Sequence, residues 1–443
     1  MRFPRRPWLV GVALLLLSIP AVAATQVPAF PGAEGFGAFT PGGRGGHVFV
    51  VTNLLDYAPG KEEGIPGSLR AACEAHGPRI VVFRVAGVIA LKAPLTISEP
   101  YITIAGQSAP GDGVCLKNYA CVVSGTHDVV LRYLRCRPGD VAGVEQDALS
   151  VSGSRDAIID HCSTSWGTDE TLSVSGAGQT NITVQWCMIT ESLDQSVHQK
   201  GAHGYGTLLR TDGNVTFHHN LYAHHRTRCP RPGTYGDAPG LLLDFTNNVV
   251  YNWISYAGYS AADAVRMNYV GNYLKPGPSS KDRTHAFSIG GEATKMFVAG
   301  NIVEGVEKPG GNEWVLIKGA GDVHKAGARF PVETVTPEAA EDAYRRVLEE
   351  AGATLAKRDA VDARIIEHIK SGTGRTINSQ QDVGAWPEYK HAEPPADTDD
   401  DGMPDAWEDA HGLDAKDASD AAKDAGADGY TNIEEFLNAA GAQ

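Results

Sequence analysis

The sequence predicts an all-β protein, a parallel β-helix, in which the chain winds through stacked coils. The main observation is an imperfect repeat: seven segments rich in β-branched residues recur every 24–33 residues between positions 128 and 304. Repeat periods in this range are typical of stacked supersecondary units. Each segment carries a small polar or thiol residue near its end: Cys136, Cys162, Cys187, Asn220, Asn248, Asn272 and Asn301.

The connections between these segments favour the same fold. They leave little room for helices, and short hairpin turns are scarce, which disfavours helical solenoids, β-propellers and β-sandwiches. In a parallel β-helix, strands of successive coils lie about 4.8 Å apart. Equivalent inward-facing asparagines can therefore hydrogen-bond along a ladder. We expect the stack to begin with residues 80–91 and 101–107 and the β-helix to occupy residues 24–310.

Residues 311–395 have a different pattern. The segment 336–353 predicts a helix with Thr336 as its N-cap, and the segment 357–374 predicts a second helix. We expect both helices to pack laterally on the coil stack, whose flanks need to be covered.

Residues 1–23 resemble a secretory signal peptide. Arg2, Arg5 and Arg6 precede an apolar run at 8–19, which is followed by small residues. The run is too short to span a bilayer, although a retained anchor is an alternative. We therefore expect an exported, soluble, monomeric protein with no membrane segment after the signal peptide is removed.

The amino-acid composition limits the classes of molecule that the protein could bind. The formal net charge is −15, and residues 397–443 hold fourteen Asp and Glu against two Lys. This balance disfavours nucleic acid, which binds broad basic surfaces. The chain has seven cysteines, and in an exported protein Cys115 and Cys121 could close a short disulfide loop.

The acidic C-terminal segment, residues 396–443, predicts calcium binding, with a solvated acidic tail as the alternative. Gly402 occupies the sixth position of a twelve-residue pattern that is typical of an EF-hand loop. The segment resembles dockerin and thrombospondin-type-3 modules, which implies a structural role or a docking partner. The predicted ligands of the two loops are Asp397, Asp399, Asp401, Asp405 and Glu408, and then Asp424, Asp428, Asn432 and Glu435.

A second group of acids lies in the predicted β-helix. Asp147 and Glu170 are about one coil apart, and stacked coils would bring their carboxylates close together. Glu145 and Asp169 lie beside them. Clustered carboxylates repel one another without a cation, and hard oxygen ligands suit Ca²⁺. Acids lining solvated turns are one alternative.

A cationic cluster follows in the chain. Arg228, in the segment 223–233, lies two coils after Glu170, and Lys200 falls on the coil between them. Together with Arg231, these cations and a bound Ca²⁺ would suit a polyanionic sugar. His225 and Trp166 are candidate substrate contacts, and structural packing is the alternative for both.

The motifs together resemble the pectate lyases of polysaccharide lyase family 1 over residues 28–310. They are AFPGAEGFGA with GGRGG and VTNL, PGSLRAA, ITIAGQSAPGDG, Asp160–His161 and RCPR. The resemblance implies a right-handed, single-stranded parallel β-helix that cleaves polygalacturonate, or pectin, by calcium-dependent β-elimination. It also implies Arg228 as the proton-accepting base and Lys200 as the substrate lysine. The calcium ligands that it implies are Glu145, Asp147 and Glu170.

Two positions depart from the family pattern. Ser173 or Val174 stands where the family has a further calcium aspartate, and Gly233 stands where it has a second arginine, which Arg231 could replace. Two other functions stay open at this point. One is a polygalacturonase-like hydrolase, which would use carboxyl pairs such as Asp169 and Glu170. The other is a non-catalytic β-helix protein that binds polyuronates.

Overall fold

The protein is described by a computed structural model over residues 1, 3–4, 26–236 and 239–441. Its strands form three long parallel sheets, named here sheet A with ten strands, sheet B with nine and sheet C with six, and a three-stranded sheet D. The chain visits sheets A, B and C in turn, so they form the faces of a right-handed parallel β-helix of about ten coils. The predicted fold class is confirmed. The predicted signal peptide, residues 1–23, lies almost entirely outside the described residues.

The strands are short, and each pairs in parallel with its equivalent one coil away. Sheet A contains His47–Val51, Arg79–Phe83, Ile102–Ala105, His127–Arg132, Arg155–Asp160, Thr180–Gln185, Asn214–His218, Leu241–Thr246, Val265–Val270 and Thr294–Ala299. Sheet B contains Gly87–Ala90, Val114–Lys117, Arg135–Cys136, Ser163–Ser165, Met188–Thr190, Leu221–Ala223, Val249–Tyr251, Tyr273–Lys275 and Ile302–Val303. Sheet C contains Leu95–Ile97, Cys121–Ser124, Leu149–Ser152, Leu172–Ser175, Leu208–Arg210 and Arg231–Gly233, and sheet D contains Gly258–Tyr259, Phe287–Ser288 and Ile317–Lys318.

Helices are few among the described residues. The α-helices are α1 (Leu69–Glu74), α2 (Ala340–Glu350), α3 (Ala360–Ser371), α4 (Asp405–His411) and α5 (Asn432–Gly441). The 3₁₀ turns are Gly106–Ser108, Pro309–Gly311, Glu313–Leu316, Asp322–His324 and Gln380–Val383. None of the described helices is long and apolar enough to span a bilayer.

The interior contains the predicted ladder. The Nδ2 atoms of Asn220, Asn248 and Asn272 each donate to the Oδ1 of the next asparagine, at 3.0, 3.3 and 2.9 Å, and the series ends at Asn301. Two thiols extend it, because the Cys187 amide donates to Asn220 Oδ1 and the Cys162 amide donates to Cys187 Sγ. These side chains satisfy backbone groups that the turns between sheets A and B leave buried.

Cys136 is not part of this ladder, contrary to the prediction. The strand register pairs Cys136 with Thr164, so the residue equivalent to Cys162 is Leu134. The described cysteines are all free and buried, and Cys115 and Cys121 lie in different sheets, so the predicted short disulfide is wrong.

Replacing Asn248 by alanine tests the ladder. Asn248 is fully buried, donates to Phe217 O at 2.8 Å and accepts from the Asn220 amide at 3.0 Å. Its loss leaves buried polar groups unpaired, so we expect Asn248→Ala to destabilise the protein by about 3 kcal/mol. The measurement is the thermal unfolding midpoint at a fixed scan rate. The control is Asn214→Ala at a half-buried strand start, which should change stability by less than about 0.5 kcal/mol.

The two predicted lateral helices are confirmed as α2 and α3. Val347 and Ile365 pack with Leu221 and Val249 on the outer side of sheet B. The predicted N-cap is wrong, because α2 begins at Ala340 and its cap is Ala339. The Thr336 hydroxyl donates instead to Glu34 Oε1 at 2.5 Å, which ties this segment to the N-terminal part of the chain.

The acidic C-terminal segment packs on the first strands of sheet A. Its buried apolar residues Met403, Ile433 and Leu437 contact the outward-facing Ile80 and Val82. Two ion pairs join the same surfaces: Arg84–Asp397 at 3.0 Å and Arg44–Glu434 at 2.9 Å. The apolar face of the segment is therefore buried against the β-helix of the same chain.

Candidate active site

The strand register of sheet C brings the central acids together. Leu149 pairs with Leu172, so the residues two positions earlier, Asp147 and Glu170, lie side by side on successive coils. The Glu170 amide donates to Asp147 Oδ1 at 3.1 Å. Asp147, Asp169 and Glu170 can each place a carboxylate oxygen within 4.8 Å of the others. The predicted closeness of these side chains is therefore present in the fold.

Burial makes this trio electrostatically costly. It raises the pKa of Asp147 to about 6, and burial together with the Asp147 charge raises the pKa of Glu170 to about 8. Hard carboxylate oxygens in such a group fit a divalent cation, which would offset their repulsion. Ser173 lies beside the trio and its hydroxyl donates to Asp147 Oδ2, so this position contributes no negative charge.

Arg228 completes the group from the following coils. Isolated bridges join Glu170 to Tyr205 and Tyr205 to Thr227, which aligns three coils at this edge. The Arg228 guanidinium forms an ion pair with Glu170, and its Cζ lies 3.9 Å from the centre of the Tyr205 ring. Burial lowers the pKa of Arg228, but the Glu170 charge together with Tyr259 and Tyr205 outweighs this effect, and the pKa lies above its ordinary value.

A pair of stacked histidines borders the acids, and the sequence analysis missed both. The rings of His198 and His203 lie 3.7 Å apart, and His203 Nε2 is 2.9 Å from an Asp169 oxygen. His198 Nε2 lies 3.6 Å from Glu145, whose Oε1 accepts the Gln199 amide at 2.8 Å. The two histidines flank the glycine-bearing segment QKGA of the loop, and that spacing was the available signal.

Comparison with known proteins gives this site its context. The chain is 38% identical over 426 residues to the protein named "Probable pectate lyase C" of Emericella nidulans, covering 94% of this chain and 93% of that one. It is 37% identical over 439 residues to the protein of the same name in Aspergillus fumigatus, covering 96% and 97%. The chain belongs to the pectate lyase family. It is therefore a polysaccharide lyase.

Solved structures agree on the fold of this lyase. The cedar pollen allergen jun a 1 superimposes with a TM-score of 0.53 at 21% identity, covering 72% of this chain and 92% of that chain. A Bacillus subtilis pectate lyase variant gives 0.50 at 14% identity, covering 75% and 99%. No protein-family profile matched the chain.

Two predicted substrate contacts are wrong. Trp166 is 0% exposed, and its Nε1 donates to Glu191 at 3.1 Å within the packing under Trp386. His225 is also buried, and its ring nitrogens contact Ser192 Oγ at 2.7 Å and Ile189 O at 2.8 Å. Both side chains are fully used inside this lyase and offer no face to a sugar.

The other two predicted cations form no ion pair with the trio among the described residues. Lys200 is exposed in the loop that carries His198 and His203, and its amide donates to His198 Nδ1 at 3.1 Å. Arg231 begins the last strand of sheet C and forms an ion pair with Asp263 at 3.1 Å. Of the predicted cations in this lyase, only Arg228 contacts the acids directly.

The predicted calcium ligands of the acidic C-terminal segment divide into three groups. Asp397, Asp399, Asp401 and Glu408 lie together, joined by Asp420, which the sequence analysis missed. Asp405 is turned away, because its oxygens accept the amide and hydroxyl of Thr398 at 2.7 and 2.8 Å.

The second predicted loop gathers no such cluster among the described residues. Asp424 and Asp428 accept the amides of Gly429 and Tyr430. Asn432 accepts the Ala425 amide and donates to Asp420 O, so its amide is a structural link, and the ligand role predicted for it stays a prediction. Glu435 lies close to Asp428 and Asp424, which, after burial, raise its pKa.

Proposed function

We propose that this lyase is a secreted, calcium-dependent pectate lyase that cleaves polygalacturonate by β-elimination, with Arg228 as the base. The observation that carries the proposal is the direct ion pair between Arg228 and Glu170, a member of the acid trio. The relatives named pectate lyase C support the substrate class. Secretion rests on the arginine-flanked apolar run within residues 1–23.

The acid trio would hold the cation. Asp147, Asp169 and Glu170 supply only carboxylate oxygens, which is the donor set that Ca²⁺ prefers. Bound Ca²⁺ would neutralise the uronate carboxylate of the substrate and so make the neighbouring C5 proton more acidic. Lys200, exposed in the adjacent loop, would pair with a substrate carboxylate.

Arg228 would accept the C5 proton. As the proton moves to the guanidine nitrogen, the C5–H electrons form the C4=C5 double bond, and the C4–O bond breaks with its electrons leaving on oxygen. A base must be neutral when it acts, and in this structure the ion pair with Glu170 further favours the protonated form of Arg228. Engagement of Glu170 by a cation would remove that support, and nearby positive charge would lower the pKa of Arg228 further.

The direct test is incubation of the protein with polygalacturonate, with and without a calcium chelator. We expect ultraviolet absorbance from the C4=C5 double bond of the products, and the chelator should abolish it. New reducing ends without this absorbance would indicate hydrolysis and overturn the proposed reaction. Binding without either product would indicate a polyuronate-binding protein.

The raised pKa values of the trio predict how calcium affinity depends on pH. Protons compete with the cation for the oxygens of Asp147 and Glu170, whose pKa values are about 6 and about 8. These groups are protonated below those values, so calcium affinity should rise as the pH increases from 6 to 8. The measurement is calorimetric titration with Ca²⁺ alone at several pH values. A flat profile would contradict the assignment of the trio as ligands.

A further inference from the structure

A second group of buried acids lies in the acidic C-terminal segment, far along the chain from the active site. Oxygens of Asp401, Glu408 and Asp420 lie within 4.8 Å of one another, and Asp401 also joins Asp397 and Asp399 in the same way. Glu408 comes from α4, whereas Asp420 comes from the segment between α4 and α5. The group thus joins parts of the chain that are separate in sequence.

Several of these oxygens are buried and have no hydrogen-bond partner among the residues that the structure describes. They are both oxygens of Asp399, both oxygens of Glu408, Oδ2 of Asp401 and Oδ1 of Asp420. Glu408 is 0% exposed and Asp401 is 2% exposed. An uncompensated buried carboxylate is strongly unfavourable, so such a group requires a cation. Burial accordingly raises the pKa of Asp401 and of Glu408 to about 7 each.

Among the described residues, the cations nearest to this group do not meet this requirement. Arg84 forms its ion pair with Asp397 at the edge of the group. Lys423, in the same segment, forms an ion pair with Asp417. Asp401 lies close to both Asp399 and Glu408, and the charges of these acids disfavour the ionised form of Glu408.

We propose that a divalent cation of the Ca²⁺ type binds these carboxylates and locks the acidic C-terminal segment onto the first coils of the β-helix. The ligands are Asp399, Asp401, Glu408 and Asp420, with Asp397 at the edge. The site keeps four positions of the predicted EF-hand pattern and departs from it at two points: Asp405 faces Thr398, and Asp420 lies outside the twelve-residue pattern. An all-carboxylate set of irregular arrangement suits Ca²⁺, which tolerates variable geometry, better than Mg²⁺.

The ligands lie next to residues that pack on sheet A, so binding of an ion would also fix the acidic C-terminal segment on the β-helix. A Cβ at Gly402 would lie 3.0 Å from Val48 and Val82, so the loop that carries Asp401 rests directly on sheet A. Ala421 follows Asp420 and belongs to the apolar cluster on the same surface. One ion would therefore hold α4 and the following segment in the positions that bury these apolar side chains, whereas the bare carboxylates would repel one another.

Hydrogen exchange of the full-length protein tests the proposal without using activity. Peptides from residues 397–441 should exchange more slowly in Ca²⁺ than in chelator. Opening is suppressed by the factor 1 + [L]/Kd, so at 100 times Kd the slowing should be about 100-fold. Glu408→Gln should lose this effect and one bound ion per chain in a calorimetric Ca²⁺ titration. Asp405→Asn is the control, because Asp405 belongs to the same loop but its side chain faces Thr398. This variant should retain both the calcium-dependent slowing of exchange and the bound ion.

Two results would overturn the lock. One is an equal exchange rate in Ca²⁺ and chelator in the unaltered protein, and the other is unchanged calcium protection in Glu408→Gln. If Glu408→Gln does not fold, Asp420→Asn takes its place, because it removes a ligand from the segment between α4 and α5 and leaves α4 unchanged. Exchange in residues 145–230 reports separately on the active-site acids. Calcium protection can therefore be absent in that region and present in residues 397–441, which distinguishes failure of the proposed function from failure of the lock.

Discussion

Arg228→Lys is expected to lower kcat on polygalacturonate by about 1,000-fold, the middle of the range for loss of a positioned proton-transfer group. Lysine keeps the positive charge but lacks the planar fork that can pair with Glu170 while presenting a second nitrogen to the substrate. It also lacks the flat guanidinium that lies over the Tyr205 ring. The measurement is the initial rate of double-bond formation at saturating calcium and substrate.

Arg226→Lys is the matched control for this substitution. Arg226 lies two residues away and donates to both oxygens of Asp194, at 2.6 and 2.9 Å, so it is held by a different acid. We expect its kcat to stay close to that of the unaltered protein. An unchanged unfolding midpoint in Arg228→Lys separates lost chemistry from lost folding, and turnover retained in Arg228→Lys would refute the base assignment.

Strand register explains why much of the active site could be predicted from the sequence. In parallel coils, one paired position fixes which of the neighbouring residues lie side by side. Because Leu149 pairs with Leu172, Asp147 must lie beside Glu170. The same rule places the Asn220 to Asn301 ladder inside the fold. Cys136 does not follow this rule because it lies two residues beyond the ladder position, which Leu134 occupies, and a repeat length alone does not reveal this difference.

Side-chain direction in the turns is what the sequence could not supply. Trp166 has a φ of 64° in a turn, and this left-handed backbone turns its ring into the packing between the coils and residues 377–386. His198 and His203 stack only because their loop folds back over Asp169. In the C-terminal segment, the twelve-residue pattern predicts Asp405 as a ligand. In the structure Asp405 accepts the Thr398 amide instead, and Asp420, which lies outside the pattern, is the acid beside Asp401 and Glu408.

Glu170→Gln is expected to weaken calcium binding by about 100-fold, because it removes one of the carboxylate charges that set affinity at an oxygen site. Activity at limiting calcium should fall by a similar factor and should recover in part when calcium is raised. This recovery distinguishes it from Arg228→Lys, which calcium should not rescue. The measurements are a calcium titration of the rate and a calorimetric titration without substrate.

The control for Glu170→Gln is Glu350→Gln on the exposed side of α2, where the carboxylate pairs only with Arg346 among the described ion pairs. It should leave the calcium dependence unchanged. Wild-type calcium dependence in Glu170→Gln would place the cation elsewhere. Because Glu170 contacts both Asp147 and Arg228, that result would also remove the physical link between metal binding and release of the base.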